Sequence, residues 1–424
     1  MRRLLTLPLL LALLLPPAGA SDLRVYRDFS EVRENVTASG PRLEVMLPEG
    51  VWPGLLPGSL ELRGLGWNQL VQERGPGWLR RLEGQTVKLR EEGRAEPVIL
   101  IRASDLTIRD ASGDYRQVRL DQLAFPALPP EEPLAGPQRL VFDVAAPGQG
   151  VLSYLTRSVT WSPRFTLTAV GSNANLEALA DLRNTASVPY QAQSTELFSG
   201  EANLVQGPMG PAGPAVTVVA GSYAFANDLS GTVPPVNPLT SVGGLYRYSL
   251  DRPVTLPASG TVTLPFLKTK VTTFERFAVL SVYFSPQGTR GTLNRAYRLK
   301  ADQSLPGGIL SVREEGRLVG QTVLRETEKG EPIEFTLGRD PEVRYQRAVK
   351  VLEAGERGSG KYQVTYTFEN SKDRAIRVEL TEQMYGRRVV LNGVDKSSER
   401  LIELRADVPA RGKVTRTFTV ELEN

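Results

Sequence analysis

The side chains that most often carry out chemistry are missing from this chain, which has no histidine and no cysteine. Their absence removes thiol nucleophiles, the Ser-His-Asp triad, imidazole bases, HExxH metalloprotease chemistry and Cys/His zinc sites. Carboxylate catalysis, a Ser-Lys arrangement and calcium held by oxygen ligands remain open. The adjacent acids Glu91-Glu92 and Glu131-Glu132 do not suit the first, because neighbours on an extended strand point to opposite faces. They read as solvated charge. "FANDLSG" (Phe225–Gly231) and "LNGVDKSSE" (Leu391–Glu399) place oxygen ligands near glycine, but without the spacing of a calcium loop, and they read as turns. No GxSxG elbow and no glycine-rich phosphate loop occurs. The sequence therefore nominates no catalytic residue, no metal ligand and no cofactor, and the chain reads as a non-enzyme.

Two groups of aromatic residues could bind rather than react. Trp52, Trp67 and Trp78 fall within one short region and could stack on sugars, although tryptophan is usually buried and core packing is the expected role. "YLTRSVTWSPRF" (Tyr154–Phe165) gathers three large rings. Tyr154 and Trp161 are an odd number of residues apart, so they can share a face only if the strand turns between them, near "TRS". Pro163 rules out a central helix and holds Ser162 extended. The expectation is two strands meeting at a corner, with Tyr154, Trp161 and Phe165 turned into a core.

The elements that would position these residues are strands. Period-two alternation prevails, and 39 glycines and 31 prolines punctuate short apolar runs, the pattern of an all-β protein. At 424 residues the chain exceeds one ordinary domain. "MRR", an apolar run of about a dozen residues and "AGA" read as an export signal over residues 1–20, cut after Ala20. The run is too short to span a bilayer, which needs roughly 20 apolar residues, and no later segment reaches that length. A β region over 21–82 follows. Residues 83–127 hold five short strands with tight turns, which suits a small SH3- or Sm-like barrel. "QTVKLR" there alternates, with Val87 and Leu89 facing one way.

Proline-rich 128–137 forms a linker, and 138–340 a central β-sandwich. In it "NLEALADLRN" (Asn175–Asn184) fits a helix or a strand, and is assigned as a strand. Gly/Pro-rich 206–240 is an insertion and the preferred place for partner contact. "YQVTYTF", "AIRVEL" and "FTVEL" bury Tyr362, Val364, Tyr366 and Phe368, then Ile376, Val378 and Leu380, then Phe418, Val420 and Leu422. With three further strands they form an immunoglobulin-like sandwich over 341–424. Arg416 falls on the apolar face of its strand, which marks an edge. The fold class is thus mostly β and multi-domain, a small SH3/Sm-like barrel followed by immunoglobulin-like sandwiches.

The formal net charge is +4, with Arg2 and Arg3 supplying two of the positive charges. Acids and bases interleave, as in "KLREEGRAEP", so no nucleic-acid face is expected. Export would permit disulfides, yet without cysteine the stability must come from packing.

"VLSYLTRSVTWSPRF" followed by "ADLRNTA" and "ELFSGEANL" resembles the family called domain of unknown function 4139. Upstream, "GQTVKLREEGRAEPVILIRASDLTIRDASGDYRQVRLDQLAFPALP" matches the family's barrel-like lead-in. "YRYSLDRPVTLPASGTVTLPFL" and "LPGGILSVREEGRLVGQTVL" follow in family order, as does the closing sandwich, and the likeness covers nearly the whole chain after residue 20. Phe165 stands where that family usually has tyrosine, and 206–240 has its own composition. The resemblance implies an exported multi-domain β protein of the bacterial envelope, periplasmic or associated with the outer membrane or cell surface, and it transfers no catalytic residue. The expected function is a scaffold or adaptor for other envelope proteins. Glycan binding through the tryptophans and a carboxylate-dependent hydrolase are the alternatives.

Overall fold

The computed structural model describes residues 21–423 apart from 76, 92, 130–135, 203, 205–236, 243, 251, 356–358, 394, 395 and 399. Of the described residues 67% lie in strands and 4% in helix, so backbone pairing between distant segments sets the architecture. Two compact units divide the chain. The first comprises Met1–Trp161, Leu182–Asp228 and Arg247–Val262, and the second Ser162–Asp181, Leu229–Tyr246 and Thr263–Asn424.

The first unit contains three sheets. Its main sheet runs, in neighbour order, Leu245–Leu250, Tyr190–Ser199, Ser21–Val25, Ser30–Ala38, Gly148–Thr156 and Glu61–Arg63, with Val254–Leu256 also on Tyr190–Ser199. Ser21–Val25 joins Tyr190–Ser199 in parallel and Ser30–Ala38 in antiparallel. Residues 21–38 are therefore not part of a separate N-terminal region 21–82. Their strands bury Leu23, Val25 and Val32 against later chain, because a lone hairpin cannot cover its own apolar face.

The second sheet has three strands, Arg42–Met46, Gln138–Val144 and Trp67–Arg74 in that order. The third is a five-stranded meander of Leu123–Ala124, Thr86–Glu91, Arg94–Arg102, Thr107–Arg109 and Tyr115–Gln117. A 3-10 turn at Leu120–Gln122 leads from Tyr115–Gln117 into Leu123–Ala124. Its core contains Val87 and Leu89, as the alternation requires, together with Val98, Leu100 and Ile108. Trp78 and Leu79, on the 3-10 turn Trp78–Leu82, close that core, so the barrel-like piece begins before residue 83.

In the second unit the strands Thr261–Thr269, Asn173–Asn184, Val159–Val170, Gly308–Glu314 and Arg317–Leu324 form one sheet in that order. The ambiguous "NLEALADLRN" segment is a strand, with Leu176, Ala178, Ala180 and Leu182 all buried. The other sheet has nine strands, with Ile333–Ala354 near its middle. This 22-residue strand runs straight through residue 341, where a domain boundary is expected from sequence. Val271–Tyr283 and Thr289–Ala301, expected in the central sandwich, belong to the same sheet as Gly360–Asn370 and Lys413–Glu423.

Register shifts at Thr292/Leu293 and Asn294/Arg295 bend the sheet, since each bulge adds local twist. One continuous sheet thereby becomes sandwich-like. Its core joins Ala278 and Leu293 to Val364, Tyr366, Phe368, Val378, Leu404, Phe418 and Val420, and the inward residues expected on the closing strands are all buried. Arg416 is exposed. Lys413–Glu423 pairs with Gly360–Asn370 along most of its length, but with Arg388–Asn392 only from Thr419 onward. Arg416 thus sits on a stretch that has one neighbour, in keeping with an edge.

Candidate interaction surfaces

The ring-rich stretch is interior. Gly148–Thr156 ends at the corner formed by Arg157 and Ser158, and Val159–Val170 leaves it. Arg157 N–H donates to the Gly54 carbonyl and Thr185 N–H to that of Ser158, at 2.9 and 2.8 Å. The turn brings Tyr154 and Trp161 into the first unit's core, at 1% and 2% exposure. Trp161 Nε1 donates to the Phe198 carbonyl at 2.8 Å, the partner a buried indole requires. Phe165 is fully buried in the second unit.

The tryptophans of residues 52–78 do not form a common platform. Trp52 Nε1 donates to the Leu47 carbonyl at 3.2 Å. Trp78 meets Phe125 edge-on at 5.1 Å inside the barrel-like core. Trp67 alone of the three is substantially open, at 43% exposure, with one side edge-on to Phe142 at 5.9 Å.

Trp67 begins the strand Trp67–Arg74, an edge of the three-stranded sheet. Seven of its eight residues are exposed. Its charges are neutralised locally, Glu73 by Arg139 at 2.6 Å and Arg74 by Glu49 at 3.3 Å. Gly75 N–H donates to the Pro137 carbonyl at 2.8 Å, so by strand alternation the N–H groups of Leu70, Gln72 and Arg74 point away from the sheet. The strand carries no proline and no lysine, and its pairing is regular from Gln69 to Arg74. From Gln69 to Gln72 it carries neither a charge nor a bulge, two of the usual devices that protect an edge from another chain.

Three carboxyl groups among the described residues lie inward: Asp340, 2% exposed and 2.9 Å from Lys372 Nζ, then Glu34 and Glu382. Glu34 shares the buried face of Ser30–Ala38 with Val32 and Ala38. Burial pushes its carboxyl up, opposed by a hydrogen bond from Tyr154. Its place in the Ser30-Val32-Glu34-Val36-Ala38 alternation makes it legible as a polar misfit on an apolar face, a signal the sequence reading did not use.

Glu382 is fully buried in the second unit. It accepts from Arg347 Nη2 at 2.6 Å and from Tyr366 Oη at 2.8 Å. Arg347, 3% exposed, also donates through Nη1 to the carbonyls of Ser285 and Gln287, at 2.8 and 2.7 Å. Burial raises the Glu382 carboxyl, with Arg347 and Tyr366 opposing. An acid with its oxygens committed to an arginine and a phenol is a structural anchor, with no open position for a substrate.

Glu91, the described member of the first acid pair, lies 3.0 Å from Arg116. Glu92, Glu131, Glu132 and Phe225–Gly231 lie outside the described residues, as do 206–236 of the expected partner-contact segment. Leu391 and Asn392 end an edge strand, and Gly393 turns the chain at φ +84°. Among the described residues no group of three or more acids could hold a metal ion, and no helix is long and apolar enough to cross a membrane. No family model matches the chain, and no curated protein matches it in sequence.

Proposed function

We propose that this chain is an exported, non-enzymatic scaffold of the cell envelope, of the domain of unknown function 4139 type, that recruits another envelope protein by accepting one of its strands. The observation that carries the proposal is the open edge Trp67–Arg74. Its outward N–H and C=O groups can pair with an added strand, while Trp67 and Val71, at 43% and 38% exposure, supply apolar contact. Backbone bonds give such recognition its affinity, and the side chains at alternate positions give it selectivity.

The substitution Gln72→Pro tests this. It removes an N–H that the protein's own sheet does not use, and proline is tolerated on an edge strand in that position. Tagged protein is recovered from gently solubilised envelopes and its partners are weighed by mass spectrometry. The expected result is one partner at near-equal amount, lost with Gln72→Pro while the melting curve is unchanged. Recovery of the wild-type chain alone overturns the adaptor reading. Retention of the partner by Gln72→Pro overturns the edge as the contact.

A further inference from the structure

The nine-stranded sheet of the second unit carries a groove of about 530 Å³ on the face away from its core. It crosses the strands Thr289–Ala301, Ile333–Ala354, Gly360–Asn370 and Lys413–Glu423. Alternation places its lining. Val343 and Phe368 are fully buried, and Tyr345 and Val414 pack against the same core. Arg344, Gln346, Thr367, Glu369 and Lys413, which alternate with them, therefore point outward. Thr292 stands opposite Arg344, and Arg290 opposite Gln346, and residues directly opposite share a face. Arg290 and Arg344 are thus diagonal neighbours, at the roughly 7–8 Å separation that long side chains can bridge.

The charges of this groove do not balance. Lys413 Nζ lies 3.3 Å from Glu369. The next acid along the strand, Glu342, is held by Lys372 at 3.1 Å. Arg344 donates through Nε to the Pro341 carbonyl at 3.1 Å, which leaves its two Nη groups for another partner. The Arg290 guanidinium has neither an acid nor a carbonyl against it among the described residues. Arg290, Arg344 and Lys413 thus set three positive charges against the single negative charge of Glu369, a surplus of two. By contrast, in the cleft over residues 89–96 and 119–122 the described charges cancel, with Arg90, Arg94 and Arg119 facing Glu91, Glu96 and Asp121. Both surfaces are concave, but only the first has cations left uncompensated.

We propose that Arg290 and Arg344 form a binding site for a phosphate monoester group. The chemistry follows from charge and donor geometry. A phosphate monoester carries close to two negative charges at neutral pH, which matches the surplus, whereas a carboxylate carries one. Its three terminal oxygens can accept from two guanidinium forks at once, as the diagonal placing of Arg290 and Arg344 allows. Gln346 and Thr367, on the same face of the sheet, add neutral donors. The groove is larger than a phosphate group, so it also covers part of the molecule that carries the phosphate. This site lies in the second unit and does not depend on the adaptor reading, which rests on an edge of the first.

The test is calorimetric titration of the full chain at low ionic strength with inorganic phosphate and glucose 6-phosphate, together with sedimentation on phosphatidylcholine vesicles that contain phosphatidic acid. Saturable binding of at least one of these phosphates is expected, with acetate binding more weakly. Arg290→Gln and Arg344→Gln should each weaken it about tenfold, as loss of one charge-assisted fork would. Glu369→Gln should tighten it about threefold, because it removes the groove's one negative charge; a merely structural lesion would not improve binding. Both arginines are exposed, so their variants should melt like the wild type, which separates lost binding from lost folding. Binding of the soluble phosphates without retention on vesicles assigns a soluble ligand, and retention on vesicles that both glutamine variants lose assigns a lipid headgroup. Failure of all three phosphates to bind overturns the proposal. So does binding that survives Arg290→Gln/Arg344→Gln, or acetate binding as tight as that of phosphate.

Discussion

Replacing Arg347 by methionine removes the cation inside the nine-stranded sheet and keeps most of the side chain's length. Glu382, fully buried, then loses the donor 2.6 Å away, and the carbonyls of Ser285 and Gln287 lose theirs. Leaving one member of a buried ion pair alone costs about 3–5 kcal/mol. Glu382→Leu should cost a similar amount, because it strands the guanidinium and frees Tyr366 Oη from its acceptor at 2.8 Å. The double variant Arg347→Met/Glu382→Leu should cost no more than either single one, since no uncompensated charge remains. The two sites should therefore be coupled by about 3 kcal/mol.

Urea unfolding followed by far-UV circular dichroism gives the three free energies. Hydrogen exchange in Gly360–Asn370 and Ile376–Gln383 shows whether the loss is local to this core. The pH dependence supplies a second reading with a definite sign. Burial raises the Glu382 carboxyl above its ordinary value of 4.5, so just above that pH the folded state binds more protons than the unfolded chain. The corresponding stability is complete below pH 4.5 and is lost as pH rises through the raised value. Glu382→Leu should abolish that slope. An Arg347→Met variant within about 1 kcal/mol of wild type, or a double variant whose cost equals the sum of the singles, would refute the reasoning.

Other positions test the packing directly. Trp161→Ala empties a site that is 2% exposed and frees the Phe198 carbonyl; a loss of about 3–5 kcal/mol is expected, and an unchanged melting curve would show that the ring is not core. Gly308→Ala would place a Cβ 2.3 Å from the Pro163 carbonyl oxygen. It should loosen the parallel pairing of Gly308–Glu314 with Val159–Val170 and lower the melting temperature, whereas Gly316→Ala, where a Cβ meets nothing within 4 Å but φ is +77°, should cost only local backbone strain, of order 1 kcal/mol.

The strands themselves were legible because period two is a local property. Val87 and Leu89, and Tyr362, Val364, Tyr366 and Phe368, could be assigned to buried faces from alternation alone, and they are buried; Leu176, Ala178, Ala180 and Leu182 fitted a helix as well as a strand, and the structure buries them on one face of a strand. The corner between Tyr154 and Trp161 followed from parity, since rings an odd number apart must be separated by a turn to share a core. Arg416 announced its edge because a charge on an apolar face needs a rim.

Pairing between distant strands is not a local property, and only the tertiary structure decided it. Nothing in residues 21–38 says that they complete a sheet with 148–156 and 190–199, and nothing near residue 341 says that the strand continues through it. The same limit applies to the surfaces. Alternation told that Tyr283 and Phe284 face opposite ways but not which one faces out. That choice was made by the core that took Phe284 and Met384 inward. The ion pair of Arg347 and Glu382 joins residues 35 apart in sequence, and the edge of Trp67–Arg74 exists only because Gln138–Val144 pairs with its other side. Composition and period chose strands and their inward faces, because backbone geometry is set residue by residue. Which strands became neighbours, and so which edges and rings stayed open to solvent, was settled by the burial of whole faces against one another.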